Sequence, residues 1–516
     1  MAGLSGIEQQ RQLVAALART GTPAPLEVIE THISWVVLAG EYAYKLKKAI
    51  DLGFLDYSTL ELRHHFCQEE LRLNRRTAPT LYLDVVAITG SGIEGEGEAL
   101  EWAVKMRRFD QEQLASWMAQ HNRLSPLHLD RLAHNVADFH QHIATANASS
   151  RFGTFESVCE PIEENFHQIR PLIDTEDCLS LLAQLHAWYK GVQTSLKPLL
   201  EHRKHGGFIR ECHGDLHLGN IVVIDDEPLP FDGIEFNYNL RYVDVVSEIA
   251  FLLMDLDHRQ RSDLGWRFLD GYLQEVGDFN GLALLRFYQV YRAMVRAKVA
   301  AIRAGQKGTD SDERRTLLSD VFSHLQLALS YTCPTTPQLI ITHGFSGSGK
   351  SSVAQKLLEQ WGAIRLRSDV ERKRLFGLAA MERTESTVAS GIYTADATAH
   401  TYARLAQLSR VLLDAGFNVI VDATFLRLSD RQQLIELAES LGVRWHLLDV
   451  TASESVMRQR IAARHAGHRD ASEADLAVLD HQLRNHDSIT TAERPHLITL
   501  NTDTEWTVAG VLAALR

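Results

Sequence analysis

Residues 344–351 read Gly-Phe-Ser-Gly-Ser-Gly-Lys-Ser, set between the apolar run Leu339-Ile340-Ile341 and a segment of helical periodicity that begins near Ser351. A complete Walker A pattern in that setting restricts the second half of the chain to a strand–loop–helix unit of a parallel α/β sheet. Glycines let the backbone curl so that its N–H groups face an anion, and the following helix N-terminus adds partial positive charge. The pattern predicts an ATP phosphate cradle formed by Gly344, Ser346, Gly347, Ser348, Gly349, Lys350, Ser351 and Ser352. Lys350 is expected to reach the β and γ phosphates and to act in catalysis, with Ser351 as a ligand of Mg²⁺. A chance glycine/serine turn does not account for the flanking strand and helix.

The rest of that half agrees with the motif. Strand candidates at 339–345, 364–368, 418–422, 444–450 and 496–501 alternate with helical segments, which predicts a parallel sheet. Arg367-Ser368-Asp369 ends the second of these strands, where the ligand edge of such a sheet lies. Asp369 is therefore a candidate base for an acceptor hydroxyl, and its plainer role is helix N-capping. Asn418-Val-Ile-Val-Asp422 is an apolar strand ending in an acid, the arrangement expected of a Walker B carboxylate, and makes Asp422 a candidate Mg²⁺ ligand. Arg458, Arg460, Arg464 and Arg469 follow on a helix and its loop. Arg460 and Arg464, four apart and so on one face, are the expected catalytic arginines; a solvated basic face is the alternative.

A second constellation lies upstream. His213-Gly-Asp215-Leu-His-Leu-Gly-Asn220 is followed, twelve positions after Asn220, by Asp232-Gly233-Ile-Glu235. In a phosphotransfer loop of this kind one acid orients or deprotonates the acceptor, while an asparagine and a second acid hold Mg²⁺ against the phosphates. Asp215 fits the first role, and Asn220 and Asp232 fit the metal roles. A zinc site at His213, Asp215 and His217 is the competing reading, and it leaves Asn220 and Asp232 unexplained. Asp244 and Glu248 are expected to brace the loop. Arg292 and Arg296 share a helix face and are expected to make surface ion pairs rather than meet an anionic acceptor.

Tyr331-Thr-Cys-Pro-Thr-Thr-Pro-Gln338 marks the expected junction, giving a first domain at 1–330, a linker at 331–338 and a second domain at 339–516. Before it, residues 28–50 read as two strands around Ala39-Gly40-Glu41, a helix follows to about Arg76, 81–109 is strand-rich, and 126–330 is mostly helical. The chain is acidic, with a formal net charge of −13, which counts against a broad nucleic-acid-binding surface. Five scattered cysteines without a CxxC pair fit a reducing cytoplasm. Leu13, Val14, Leu17 and Ala18 lie at helical spacing among charged residues, unlike a signal peptide, and no apolar run suggests a membrane partner.

Residues 338–516 resemble the small P-loop kinases that include polynucleotide kinase and the zeta-toxin group, on the strength of the Walker A loop, Ser368-Asp-Val-Glu-Arg372, Val419-Ile-Val-Asp-Ala-Thr-Phe425 and the arginine-rich segment. The resemblance implies that Asp369 acts on the acceptor hydroxyl and that Arg372 contacts substrate phosphate. Residues 25–330 resemble the aminoglycoside phosphotransferase and choline kinase family, itself similar to protein kinases, most strongly over 211–248. That likeness implies a bilobal protein-kinase-like domain with an ATP-binding strand lysine and a helix glutamate. Lys45 and Lys47 share a strand face, Lys45 being nearer the family pattern, and Glu70 is preferred to Glu69 as partner. Val36-Val-Leu-Ala-Gly40-Glu-Tyr42 has one glycine where protein kinases have a glycine-rich loop, which favours small-molecule acceptors. The expected protein is thus a mixed α/β and α+β, bifunctional, ATP- and Mg²⁺-dependent kinase. The alternative is a nucleic-acid-end kinase, with Arg372 to Arg374 on a terminal phosphate, regulated by an inactive first domain.

Overall fold

The computed structural model describes residues 6–20, 26–53, 55–307, 311–382, 391–467 and 472–515. They form two compact units, Met1–Asp255 with Tyr291–Gln326, and Leu256–Val290 with Leu327–Arg516. The helical segment Leu256–Val290 therefore groups with the second unit, although it precedes the proline-containing stretch at 331–338.

The first unit opens with an antiparallel sheet of six strands: β1 (Glu27–Glu30), β2 (Ser34–Ala39), β3 (Tyr42–Lys47), β4 (Tyr82–Thr89), β5 (Gly92–Ile93) and β6 (Glu101–Arg107), in the order β1-β2-β3-β6-β4-β5. Gly40, at φ 59°, lets β2 turn tightly into β3. Along β3 the side chains alternate between two apolar layers. Tyr44 and Leu46 meet Val14 and Leu17 of helix Ile7–Thr20, so the amphipathic N-terminus is part of this core. Ala43, Lys45 and Lys47 lie on the other face, where Cys67 and Leu71 of helix Leu60–Asn74 pack. That alternation carries two lysines beneath one helix.

Helices dominate from 126 onward, interrupted by two short ribbons: β7 (Ile209–Glu211) with β10 (Tyr242–Asp244), and β8 (Ile221–Ile224) with β9 (Glu227–Pro230). The ribbons bracket the His213–Asn220 and Asp232–Glu235 loops. Their strands were not expected within the helical stretch, since three or four residues are too few to show a period-two pattern.

The second unit holds a five-stranded parallel sheet, β11 (Gln338–His343), β12 (Ala363–Arg367), β13 (Asn418–Asp422), β14 (Arg444–Thr451) and β15 (Leu497–Asn501), in the order β12-β13-β11-β14-β15. Ile340, Ile420, Leu448 and Val450 pack against Val353, Leu357 and Leu358 of helix Lys350–Trp361 and Val508 and Val511 of helix Val508–Ala514. Near-continuous apolar strands such as Leu339-Ile340-Ile341 are what a sheet buried on both faces requires. From β11 the chain moves to one side of the sheet, and from β13 it crosses to the other. Such a reversal leaves a crevice at the carboxyl ends of the strands.

Among the described residues no helix is long and apolar enough to cross a membrane, and the five cysteines are unbridged.

Candidate functional site

In the first unit, helix Leu60–Asn74 lowers Glu70 between the two strand lysines. Lys45 Nζ donates to Glu70 Oε1 at 2.8 Å and to Asp232, and Lys47 Nζ donates to Glu70 Oε2 at 2.7 Å and to Glu235. Tyr57 closes the inner side through its hydroxyl on Glu235. The lysines thus differ in what they face. Lys47 is sealed in, at 1% exposure, against a buried acid, whereas Lys45 reaches Asp232, whose side chain is 42% exposed. Glu69 instead pairs with Arg72 at 2.9 Å and with Arg241. Burial alone would raise the Glu70 carboxyl, but Lys45 and Lys47 hold it down to about 2. Removing this charge leaves each buried ammonium with a single carboxylate, Asp232 for Lys45 and Glu235 for Lys47. Glu70→Gln is therefore expected to cost about 3–5 kcal/mol in a denaturant titration, and Glu69→Gln, at the rim, about 1 kcal/mol or less.

The loop after β7 is tied down along its backbone. Glu248, fully buried, accepts from the N–H of His213 at 2.6 Å and of Gly214 at 3.0 Å, and Asp255 accepts from Leu218 N–H at 2.9 Å. Gly214 has φ 86°, and a Cβ there would meet the Leu240 carbonyl at 2.8 Å. Asp244 takes a two-pronged bond from Arg203 at 2.6 and 2.7 Å. Arg292 is buried, not at the surface as its charge led us to expect; it donates to the Ser247 carbonyl at 3.1 Å and the Gly214 carbonyl at 3.2 Å. A guanidinium has enough donors to satisfy several carbonyls at once, so burial here is supported by the loop it holds.

On this frame Asn220 Nδ2 donates to Asp215 Oδ2 at 2.9 Å, and His217 Nε2 stands 3.5 Å from the same oxygen. Burial opposes ionisation of Asp215, yet His217, His213 and Arg296 hold its carboxyl well below the ordinary value. The influence of Arg296 on Asp215 was not anticipated, because only the tertiary fold brings that helix to the loop. Asp232 sits at φ 62°, with its N–H on the Tyr82 hydroxyl at 3.1 Å, and Gly233 N–H bonds Asn74 Oδ1 at 2.8 Å. A left-handed aspartate is a strained conformation that surrounding bonds must impose. His213 turns its Nε2 to the Phe231 carbonyl at 2.8 Å, and His213, Asp215 and His217 do not converge as a metal-binding group among the described residues. The zinc reading fails on that geometry. Asn220 spends its amide nitrogen on Asp215, which leaves its carbonyl oxygen, like the Asp232 carboxylate, a donor of the type a hard cation such as Mg²⁺ takes.

In the second unit, the residues gather at the carboxyl edge of the sheet. Gly344, Gly347 and Gly349 have φ 136°, 82° and 96°, and a Cβ would lie 2.3 Å from the Val450 carbonyl at the first and 2.7 Å from the Met457 carbonyl at the second. Only glycine fits such a backbone. Ser346 N–H is held by Gln482 Oε1 at 2.8 Å, Ser348 is buried, and Ser352 is exposed. Lys350, at 8% exposure, curls back to the Phe345 carbonyl at 2.7 Å. Burial lowers its pKa to about 8; Asp422 opposes this and Arg464 adds to it.

Asp422 ends β13 nearly buried, and its Oδ2 accepts no hydrogen bond. Burial raises its pKa, against the nearby Arg365 and Arg367 and a hydrogen bond from Ser351. A hydroxyl and a carboxylate with an unused oxygen suit Mg²⁺. Arg367, not Asp369, occupies the N-cap position, without a side-chain cap, and Asp369 in the first turn accepts from the Val370 N–H at 2.9 Å. The Asp369 carboxylate takes both prongs of Arg367, at 3.1 and 2.7 Å, and that charge outweighs burial to keep its pKa low.

The arginines separate in role. Arg460 donates to Thr502 Oγ1 at 2.8 Å and to the Gly347 carbonyl at 3.3 Å, so it grips the back of the Walker loop. Arg464 donates to the Ala474 carbonyl at 2.6 Å, close enough for its charge to act on Lys350. Arg458 pairs outward with Glu454 and Asp480, and Arg469 lies outside the described residues. Arg372 donates to the Ile392 carbonyl at 3.0 Å and Thr398 at 3.1 Å, beneath the Tyr393 ring. The functional neighbours not expected from sequence are Arg365, Arg367, Gln482 and Thr502. Arg367 stands within the Arg367-Ser368-Asp369 stretch itself, and its spacing of two from Asp369 was the available signal.

A unit of antiparallel sheet and helices carrying the Lys45–Glu70 pair and a P-loop unit built on a parallel sheet are therefore joined in one chain. The family described as "AAA domain" matches residues 339–489. Uncharacterized protein Rv2004c of Mycobacterium tuberculosis is 31% identical over 459 residues, 88% of this chain and 89% of that one, and the chain belongs to the same family. Among solved structures the chain is similar to a choline/ethanolamine kinase family protein from Mesorhizobium loti, at 12% identity and TM-score 0.38 over 63% of this chain and 98% of that one. It is also similar to the Mycobacterium tuberculosis APS kinase, at 20% identity and TM-score 0.26 over 35% of this chain and 98% of that one.

Proposed function

We propose that the chain is a bifunctional phosphotransferase, each unit moving the γ-phosphate of ATP to a hydroxyl of a small molecule. The observation that carries this reading is the separation of a complete residue set into each unit: Lys45, Glu70, Asp215, Asn220 and Asp232 in one, Lys350, Ser351, Asp369 and Asp422 in the other. By chain order we assign these to residues 1–330 and 339–516, joined by 331–338.

In the first site, Lys45 is the phosphate ligand, oriented by Glu70. Asp215, held ionised beside His217, accepts the hydroxyl proton, and Asn220 and Asp232 hold Mg²⁺. In the second, the glycine-bearing loop, Ser346, Ser348 and Ser352 surround the nucleotide phosphates. Lys350 and Arg464 meet the charge that builds on the moving phosphoryl group, Arg460 keeps the loop in place, Asp369 receives the hydroxyl proton, Arg372 binds the acceptor, and Ser351 and Asp422 hold Mg²⁺. The ion supplies charge neutralisation at the phosphate oxygens.

The nucleic-acid-end reading loses support because Lys373 and Arg374 are engaged internally, Lys373 with Glu473 at 3.2 Å and Arg374 with the Gln274 carbonyl at 2.7 Å. A γ-labelled ATP screen of a metabolite extract tests the proposal on the whole chain, Lys350→Ala and Asp215→Ala. Labelled products lost separately in the two variants are expected, and no labelled product from any form would end the bifunctional reading.

The lysines also predict a pH signature. Lys350 has its pKa depressed to about 8, whereas Lys45 is raised well above its usual value because Asp232 and Glu70 outweigh burial. A bound phosphate restores the Lys350 proton, so ADP binding is expected to take up a proton above about pH 8 and almost none at pH 7. Affinity at this site falls as pH rises through that range. Calorimetry in buffers of different ionisation enthalpy reads the uptake, which Lys350→Met is expected to abolish.

A further inference from the structure

Arg365 lies in the middle of β12, 6% exposed, with no place in the expected machinery. Its Nε and Nη2 donate to the two oxygens of Asp270, at 3.2 and 2.6 Å, and Nη2 also donates to Gln355 Oε1 at 2.7 Å. Nη1 donates to the carbonyl of Ser351 at 3.1 Å and stands 4.0 Å from Asp422 Oδ2. One guanidinium therefore touches the backbone of one proposed metal ligand, Ser351, and stops just short of the other, Asp422.

Asp270 belongs to helix Ser262–Val276, in the segment that chain order assigns to the first half. The helix is built into the second unit. Arg267 pairs with Glu359 at 2.7 Å, Gln274 Nε2 donates to the Arg365 carbonyl at 3.1 Å, and a Cβ on Gly362 would lie 3.1 Å from the Trp266 ring. Asp270 is itself 6% exposed and accepts a bond from Gln274 at 3.1 Å, so its carboxylate is fixed in direction.

We infer that Asp270 is a positioning residue for the Mg²⁺ site of the P-loop unit: by holding Arg365 in a two-pronged pair, it keeps the guanidinium off Asp422 and leaves that carboxylate for the metal. The inference rests on the P-loop reading above. A planar fork satisfied on one side by a carboxylate presents less charge and fewer donors on the other. Without Asp270, the nearest anionic oxygen for Arg365 is Asp422 Oδ2, and closing a 4.0 Å gap to hydrogen-bond distance needs only a side-chain adjustment. Arg365 then competes with the metal for the same oxygen.

The test is direct binding of Mn²⁺ in the presence of ADP, followed by electron paramagnetic resonance, on the full chain in an Asp232→Asn background that silences the first site. Asp270→Asn is expected to weaken Mn²⁺ binding about tenfold, as loss of an outer-shell partner of a metal site does, while ADP affinity measured in EDTA stays unchanged. Asp270→Asn/Gln355→Glu moves the carboxylate to the other neighbour of Arg365 Nη2 and is expected to restore Mn²⁺ binding. Wild-type Mn²⁺ affinity in Asp270→Asn overturns the inference, as does equal loss of ADP binding in EDTA, which marks a purely structural residue. If Asp270→Asn does not fold, the double variant decides, and weak Mn²⁺ binding there overturns the inference. Absence of any Mn²⁺·ADP binding that Lys350→Ala removes counts instead against the P-loop reading.

Discussion

Lys350→Met is expected to lower phosphotransfer by the second unit about 10³-fold and, at neutral pH, to raise that unit's resistance to denaturant. The two effects have one cause. Lys350 is buried against the Phe345 carbonyl, and its pKa is depressed from 10.5 to about 8. For a lysine shifted downward, the charged form is penalised in the folded state. The penalty is fully present below about pH 8 and fades as pH rises towards 10.5. At 1.36 kcal/mol per unit, the stabilisation on replacement is on the order of 1–3 kcal/mol. The same desolvated charge is strongly attractive to phosphate because little water screens it. Transfer assays and denaturant midpoints on one variant check both signs, and a destabilised Lys350→Met contradicts the account.

Asp215→Asn is expected to reduce transfer by the first unit about 10³-fold, within the range for loss of a positioned general base, with little change in ATP affinity. The substitution keeps the shape and removes the group that accepts the proton. Asp215 is not what holds the loop; Glu248, Asp255 and Arg292 bind its backbone. Because the folded surroundings hold its carboxyl well below the ordinary value, ionised Asp215 also contributes stability at neutral pH, and Asp215→Asn is expected to lower the denaturant midpoint. Single-turnover kinetics in a Lys350→Ala background isolate the first site, and a fall in ATP binding as large as the fall in rate would show that Asp215 supports the nucleotide instead.

The two sites were legible to different depths. The Walker loop, Asp369 and Asp422 each end or follow an apolar strand, and every such strand reaches the same edge of the parallel sheet, so local pattern and position agree. The loop at 213–232 was legible through spacing alone. Lys45 and Lys47 were not separable, because a strand's two-residue period puts both on one face. What separates them is the partner each meets, Asp232 or Glu235, from more than 180 residues away. Arg460 and Arg464 share a face as their spacing requires, yet one grips Gly347 and Thr502 and the other reaches Ala474. A charged residue in a helix reads as exposed until its partners are known, and for that reason Arg292 was misplaced.

By itself, the sequence determined that the chain carries a P-loop unit and a second constellation upstream of it, where the glycine-bearing loop must curl, and which acids stand at strand ends or in the second loop. These are consequences of local backbone requirements and short-range spacing, which neighbouring residues impose on one another. Only the tertiary structure decided that helix Ser262–Val276 belongs with the P-loop unit, that Asp270 turns Arg365 aside from Asp422, and that Arg296 acts on Asp215. Burial and pairing of charges depend on which distant surfaces meet, and no local period encodes that meeting.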